Sequence, residues 1–214
     1  MSDRIVVCAG TKRGLFLLES TAKRDRWSLS GPHLKGWSIY HATVDPRSGR
    51  IHAAASSDVF GTTTYAADLR ARKFAGAKRP PVPPKHLPSH MKFIRKYNIT
   101  TTPRVWHIEP ARASEKRVLY AGVAPAALFR STDDGRSWEE VKSLTNHPTR
   151  KLWGPGAGGM CLHSIQLDPR NSNRMWVAIS AAGAFRTDDG GRTWNPINKA
   201  VAKYVGAPKG GVGT

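Results

Sequence analysis

The chain has 214 residues, 39% of them apolar, and carries 34 Lys and Arg against 15 Asp and Glu, for a formal charge of +19. That length can bury a core in one domain, and no apolar run is long enough to cross a bilayer as a helix. Two cysteines are too few for a disulfide framework, so Cys8 and Cys161 read as reduced thiols. Met1-Ser2-Asp3-Arg4 leads straight into strand-like sequence without a leader, and the expected location is cytoplasmic.

Short β-rich runs split by turn residues follow one another along the whole chain. The first are Ile5-Val6-Val7-Cys8 and Gly14-Leu15-Phe16-Leu17-Leu18, with Trp27 closing the unit. The next unit opens on Ile39-Tyr40-His41-Ala42-Thr43-Val44, turns at Asp45-Pro46 and resumes at Ile51-His52-Ala53-Ala54-Ala55. It closes on Ala67 to Phe74, where a terminal aromatic is almost all that matches the later units. Val105-Trp106-His107-Ile108-Glu109-Pro110, Val118 to Val123 and Ala127 to Arg130 make up a third unit. Leu162 to Pro169, Met175 to Ile179 and Gly183 to Arg186 make up a fourth. Each full unit reads as apolar strand, acid-Pro turn, second strand, short third strand and closing turn. The first unit lacks its opening strand. Such a fixed internal period marks a repeat architecture.

Between the second and third units, from Asp68 to Glu109, the chain carries no acid, while Arg70, Arg72, Lys73, Lys78, Arg79, Lys85, Lys92, Arg95, Lys96 and Arg104 are all basic. Pro80, Pro81, Pro83, Pro84 and Pro88 make this an extended insertion. Region 70–104 would attract a polyanion. Few aromatics interleave its basic residues, and a solvated loop is the plainer reading. Met91 to Tyr97 is too short a periodic stretch to assign as helix.

The closing turns of the last two units carry the strongest signal. Ser131-Thr132-Asp133-Asp134-Gly135-Arg136-Ser137-Trp138 recurs 56 positions later (131 to 187) as Thr187-Asp188-Asp189-Gly190-Gly191-Arg192-Thr193-Trp194. Hydroxyl and carboxylate side chains at this spacing can bond the backbone amides of a tight corner. The glycine accepts a positive φ, and the tryptophan supplies a large apolar ring.

These motifs resemble the Asp-box, or BNR, repeat of sialidases, sortilin-type receptors and related propellers of the WD40/YVTN kind. The resemblance implies an all-β fold, a β-propeller or partial propeller of about four four-stranded antiparallel blades. The blades fall at about 1–31, 36–77, 104–142 and 160–198 of a single domain, with the insertion at 78–103. In that family the box lies on the outer rim, so Ser131, Asp133, Gly135, Trp138, Thr187, Asp189, Gly191 and Trp194 are expected to fold the chain and do no chemistry. Against that family the chain reads as C-terminally truncated, since only Pro196-Ile197 suits a strand after Trp194.

The first strand of a propeller blade lines the channel, which makes Tyr40, His41, Trp106, His107 and His163 ligand-binding candidates. His41, His107 and His163 are also the weak candidates for a metal. Their offsets from the acid-Pro turn differ, and strand histidines bonded to neighbouring backbone are the plainer reading. Glu109 and Asp168 are weak catalytic candidates, as carboxylates of a glycoside hydrolase. The sialidase signature Phe/Tyr-Arg-Ile-Pro does not occur, and nothing singles out Arg13, Arg104 and Arg150 as an arginine clamp. Gly154-Pro155-Gly156-Ala157-Gly158-Gly159 formally matches a dinucleotide loop, but a strand follows it where a helix is required. The long loop before it makes Arg150 and Trp153 further binding candidates. The expected function is a binding or interaction scaffold for a small molecule or carbohydrate, without a cofactor. A sialidase-like hydrolase and a polyanion-binding module are the alternatives.

Overall fold

The computed structural model describes residues 4–57, 59–77, 104–154, 159–180 and 182–198. The insertion at 78–103, its Met91 to Tyr97 stretch, and most of the glycine-rich run 154–159 lie outside the described residues. The chain divides into two compact units, Met1–Arg79 and Pro80–Thr214.

The first unit holds two antiparallel sheets. β1 (Arg4–Thr11), β2 (Gly14–Thr21) and β3 (Ser28–His33) form a three-stranded sheet in chain order. β4 (Ser38–Asp45), β5 (Arg50–Ser57), β6 (Gly61–Asp68) and β7 (Ala75–Ala77) form a four-stranded one. Alternation sends Leu15 and Leu17 of β2 inward, where they meet Ile39, Ile51, Ala53 and Ala55. The second unit repeats the pattern. β8 (Arg104–Pro110), β9 (Leu119–Ala124), β10 (Ala127–Ser131) and β11 (Glu139–Glu140) form one sheet. β12 (Leu162–Leu167), β13 (Met175–Ile179), β14 (Gly183–Thr187) and β15 (Asn195–Pro196) form the other. Leu128, Leu162, Ile165, Val177, Phe185 and Trp194 share the core between them.

Within each unit the sheets meet through one glycine. A Cβ on Gly122 of β9 would run into the carbonyl oxygen and side chain of Leu162, at the start of β12. A Cβ on Gly10 of β1 would lie 2.7 Å from the carbonyl oxygen of Ile39 in β4. Only a residue without a side chain permits that backbone approach. β1 therefore stands to β4 as the second strand β9 stands to β12, and among the described residues the first sheet consists of strands equivalent to the second, third and fourth of the others.

The two Asp-Gly-Trp corners close β10–β11 and β14–β15 with matching hydrogen bonds. Ser131 Oγ accepts from Gly135 N at 2.8 Å and donates to Asp133 Oδ1; Thr187 Oγ1 does the same with Gly191 N and Asp189 Oδ1. Asp133 then accepts from Ser137 N and Oγ, and Asp189 from Thr193 N and Oγ1. Gly135 and Gly191 take φ of +82° and +91°. Asp45 and Asp168 cap the acid-Pro turns, accepting from the amides of Arg47 and Arg170 at 2.9 and 2.8 Å.

Two expectations from the sequence are corrected. Glu109-Pro110 is not a turn of that kind. Both residues lie inside β8, paired with Tyr120 and Leu119, and the corner comes later, closed by Ala111 N on Val118 O at 3.0 Å. Trp27 stands immediately before β3, as Trp138 and Trp194 stand before β11 and β15, but it is 45% exposed. Ala22 and Arg24 stand where the other corners have the Asp and Gly that fold the chain over the ring; instead Ser20 Oγ donates to Arg26 O. Conversely, the eroded corner after β6 keeps one working residue, Asp68, whose Oδ1 accepts from Arg70 N and Ala71 N. Cys8 and Cys161 are both free thiols, and burial pushes Cys8 up to about 11.

Hydrogen bonds from Ser137 hold the Asp133 carboxyl down at about 2, and those from Thr193 hold Asp189 lower still. A depressed folded-state value means stability that is present above the unfolded carboxylate value of about 4 and lost as pH falls through the folded value. The melting temperature should fall steeply between about pH 4 and pH 2, and Asp133→Asn with Asp189→Asn should flatten that slope, as followed by circular dichroism. Gly122→Ala should destabilise the fold by about 1–3 kcal/mol in urea denaturation, as overpacking does. Gly76→Ala, whose Cβ would find only Tyr65 Cε1 at 3.9 Å, serves as the tolerated control.

Candidate functional site

Three first strands carry a β-bulge at the same place. In β4, Ile39 pairs with Ala55 and His41 with Ala54, so Tyr40 is extra. In β8, Val105 pairs with Val123 and His107 with Gly122, so Trp106 is extra. In β12, Leu162 pairs with Ile179 and Ser164 with Ala178, so His163 is extra. A bulge re-aims a side chain and locally breaks the ladder, which is why bulges gather at binding sites. Each lies at the start of its strand, at the end of the sheet where the second and third strands turn, opposite the Asp-capped turns.

This register re-sorts the histidines. His41 and His107 occupy one position, directly after the bulge, where Ser164 stands in the last sheet. His163 occupies the other, with Tyr40 and Trp106. The sequence groups the three imidazoles together; the structure divides them between two registers. Among the described residues, no three His, Cys, Asp or Glu side chains are grouped so as to hold a metal ion. His163 is exposed, Tyr40, His41 and Trp106 are partly buried, and His107 is buried.

The weak catalytic candidates have different surroundings. Glu109 Oε2 lies 3.0 Å from His107 Nε2, a carboxylate–imidazole pair on one strand beside the bulge. Asp168 is buried in its turn, held by the amides of Arg170 and Asn171 and by Arg174, and the Arg170 amide leads in keeping its carboxyl below the usual range. Arg112 braces the same corner from the neighbouring sheet, donating to Asp168 O and Arg174 O.

The connection from β11 to β12 carries a second arrangement that the sequence did not disclose. After the single turn α1 (Lys142–Thr145), the chain makes a 3-10 turn at Pro148–Leu152. His147 Nε2–H donates to Trp194 O at 3.1 Å, which leaves Nδ1 to accept from Thr149 N and Thr149 Oγ1. Thr149 Oγ1 in turn accepts from Trp153 Nε1 at 3.0 Å. The Trp153 ring packs 5.1 Å from Phe185 and is 2% exposed. Arg150 lies across it, Cζ 4.5 Å from the ring centroid, with Nη1 donating to Ala126 O in the β9–β10 turn. Burial pulls the Arg150 guanidinium down to about 10, against a weaker upward pull from Glu140.

No protein-family model matches the chain, and neither does any curated protein. Solved structures do. A GH74 xyloglucanase from Xanthomonas campestris superposes with a TM-score of 0.57 at 14% identity, over 90% of this chain and 27% of that one. YCF48 from Cyanidioschyzon merolae gives 0.52 at 13%, over 89% and 55%; the Niastella koreensis GH74 enzyme gives 0.53 at 12%, over 92% and 31%. The fold is all-β, of the β-propeller type. The chain spans between about a quarter and just over half of the length of these propellers, and at such identities the likeness is one of fold alone. Among the described residues, no helix is long and apolar enough to cross a membrane.

The His147–Thr149–Trp153 chain of hydrogen bonds is buried, so breaking it should be costly. Thr149→Val keeps the shape but leaves the Trp153 N–H without its acceptor, while His147 Nδ1 keeps the amide of residue 149. The expected loss is about 1–3 kcal/mol in urea denaturation, with a red shift of tryptophan emission.

Proposed function

We propose that this chain is a binding propeller of the Asp-box repeat group, a single propeller-like domain that works as a ligand or interaction scaffold rather than as a hydrolase. The observation that carries the reading is the repeated bulge. Three first strands give up a regular ladder at the same position and place there Tyr40, Trp106 and His163, side chains that stack on and hydrogen-bond to a ligand. His41 and His107 follow them directly. Within the second unit a planar or carbohydrate ligand suits Trp106, His163 and the His107–Glu109 pair, because a sugar face stacks on an aromatic ring while its hydroxyls bond imidazole and carboxylate.

The hydrolase alternative rests on Glu109 and Asp168. Two-carboxylate hydrolysis needs both groups at the reacting bond, one of them protonated. Asp168 is committed to its turn, and Glu109 already pairs with His107. That leaves these two carboxylates unsuited to act together as a two-carboxylate pair. The polyanion alternative concerns region 70–104, most of which lies outside the described residues.

A panel of fluorogenic glycosides, including a sialoside, together with ligand-observed NMR on xyloglucan oligosaccharides and sialyllactose, tests the reading. We expect no turnover, and saturation transfer to at least one glycan that falls at least tenfold in Trp106→Ala while the melting temperature stays within a few degrees. Hydrolysis that Glu109→Gln abolishes would overturn the scaffold reading in favour of the enzyme.

A further inference from the structure

At the end of the sheets opposite the bulges, the turns of the first unit carry a set of cations. Lys23, Arg24 and Arg26 lie in the β2–β3 turn, Arg50 opens β5, and Arg70 and Lys73 lie in the corner after β6; all are exposed. Among the described residues, none of them is within ion-pair distance of a carboxylate. The acids at this end are engaged: Glu19 with Arg4 and Arg72, Asp45 with Arg47, and Asp68 with the amides of Arg70 and Ala71. Asp25 is the one further acid in these turns.

The second unit shows the contrast. At the same end of its sheets Arg117 pairs with Asp134, Arg174 with Asp168 and Asp188, and Arg186 with Asp188. Asp134 and Asp188 belong to the Asp-Gly-Trp corners. Where those corners have Asp, Gly and a second hydroxyl, the β2–β3 turn has Ala22, Arg24 and Arg26, and Lys73 likewise stands before Phe74. Arg24 takes φ of +55°, which glycine adopts at less cost. Trp27, left uncovered beside Arg26, is followed two positions on by Leu29, also exposed.

Contacts join these turns into one surface. Arg72 Nη2 donates to Glu19 Oε1 at 2.7 Å, tying the corner after β6 to β2, and Glu19 pairs with Ser28, next to Trp27. Leu69 N donates to Gly49 O at 3.0 Å, tying the same corner to the β4–β5 turn. Cations spread over three joined turns suit a linear polyanion, whose phosphates they meet one after another. Arginine outnumbers lysine among them, and its planar fork fits phosphate. An exposed indole beside such groups is a platform for an unpaired base, which a duplex keeps stacked inside. A membrane-binding face would instead gather a broad apolar stripe, whereas among the described residues of this end Leu29 alone accompanies the ring.

We propose that this end of the first unit binds single-stranded nucleic acid, with the six exposed cations on the phosphates and Trp27 stacked on a base. The face is built from sheet turns and requires no glycan, so it stands or falls independently of the bulged strands.

The test is fluorescence anisotropy of a labelled oligothymidylate of about 20 nucleotides with the full chain at several salt concentrations. Its duplex with oligoadenylate, and flotation with phosphatidylserine vesicles, run beside it. The single strand should bind about tenfold more tightly than the duplex, and Trp27→Ala should lose about tenfold in affinity at an unchanged melting temperature. Ala22→Asp with Arg24→Gly and Arg26→Thr, which completes the corner, should melt at or above the wild type and bind at least tenfold more weakly. Arg70→Ser with Lys73→Ser keeps the Asp68 turn and carries the test if the completed corner misfolds. It should reduce the log–log salt slope by about 1.4, or about 0.7 for each cation removed. No binding at low salt, equal affinity for strand and duplex, or undiminished binding in either multiple variant overturns the proposal. Flotation with vesicles in the absence of strand binding overturns it in favour of a membrane surface.

Discussion

A carbonyl oxygen resting on a glycine governs both the packing and the candidate site. Ile39 O lies over Gly10, and Leu162 O lies over Gly122. In each case the carbonyl belongs to the residue just before a bulge, at Tyr40 or His163. The sheet-to-sheet approach and the break in the ladder are thus adjacent links of one chain of cause. Turning that carbonyl toward the neighbouring sheet goes with the loss of regular pairing at the next residue, and the freed residue is the one re-aimed. Gly122 also pairs with His107, so the glycine that admits Leu162 sits opposite the histidine bonded to Glu109.

The two ends of each sheet divide the labour. At one end, carboxylates are consumed by structure: Asp45, Asp133, Asp168 and Asp189 each accept from a turn amide two or four residues on. At the other end lie the bulges and, in the second unit, the Arg150 loop. Acidic groups engaged in turns are poor catalysts, so these four carboxylates serve the fold.

How much of this was legible in the sequence depended on whether a feature was local. The Asp-Gly-Trp corners were, because a hydroxyl, a carboxylate and a glycine at fixed offsets can bond only the amides between them. The kinship of β1 and β2 to later second and third strands was also visible, since Ile5 to Cys8 and Gly14 to Leu18 align with them. Glu109-Pro110 misled, because acid followed by proline looks alike in a strand and in a turn; only the late corner at Ala111 and Val118 tells them apart. The bulges left no local mark. They arise from a contact with another sheet; the differing offsets of His41, His107 and His163 from the acid-Pro turn hinted at separate registers, but only the pairing shows where the extra residue sits. The hydrogen-bond chain through His147 and Thr149 was hidden for a similar reason: His147 bonds Trp194, 47 residues on (147 to 194), and Trp153 packs on Phe185, 32 residues on (153 to 185). Arg150 could be noticed as a long-loop residue, but its burial could not.

The glycine contact also fixes what counts as the exchangeable segment of such a protein. The complementary surfaces are the second strand of one sheet, with its glycine, and the opening strand of the next, with its bulge. A graft or duplication cut between sheets would separate these two halves and place a foreign side chain against a carbonyl. Cut instead between the first and second strands, a transplanted piece carries both halves of its own joint, and its neighbours inherit a seam that already fits.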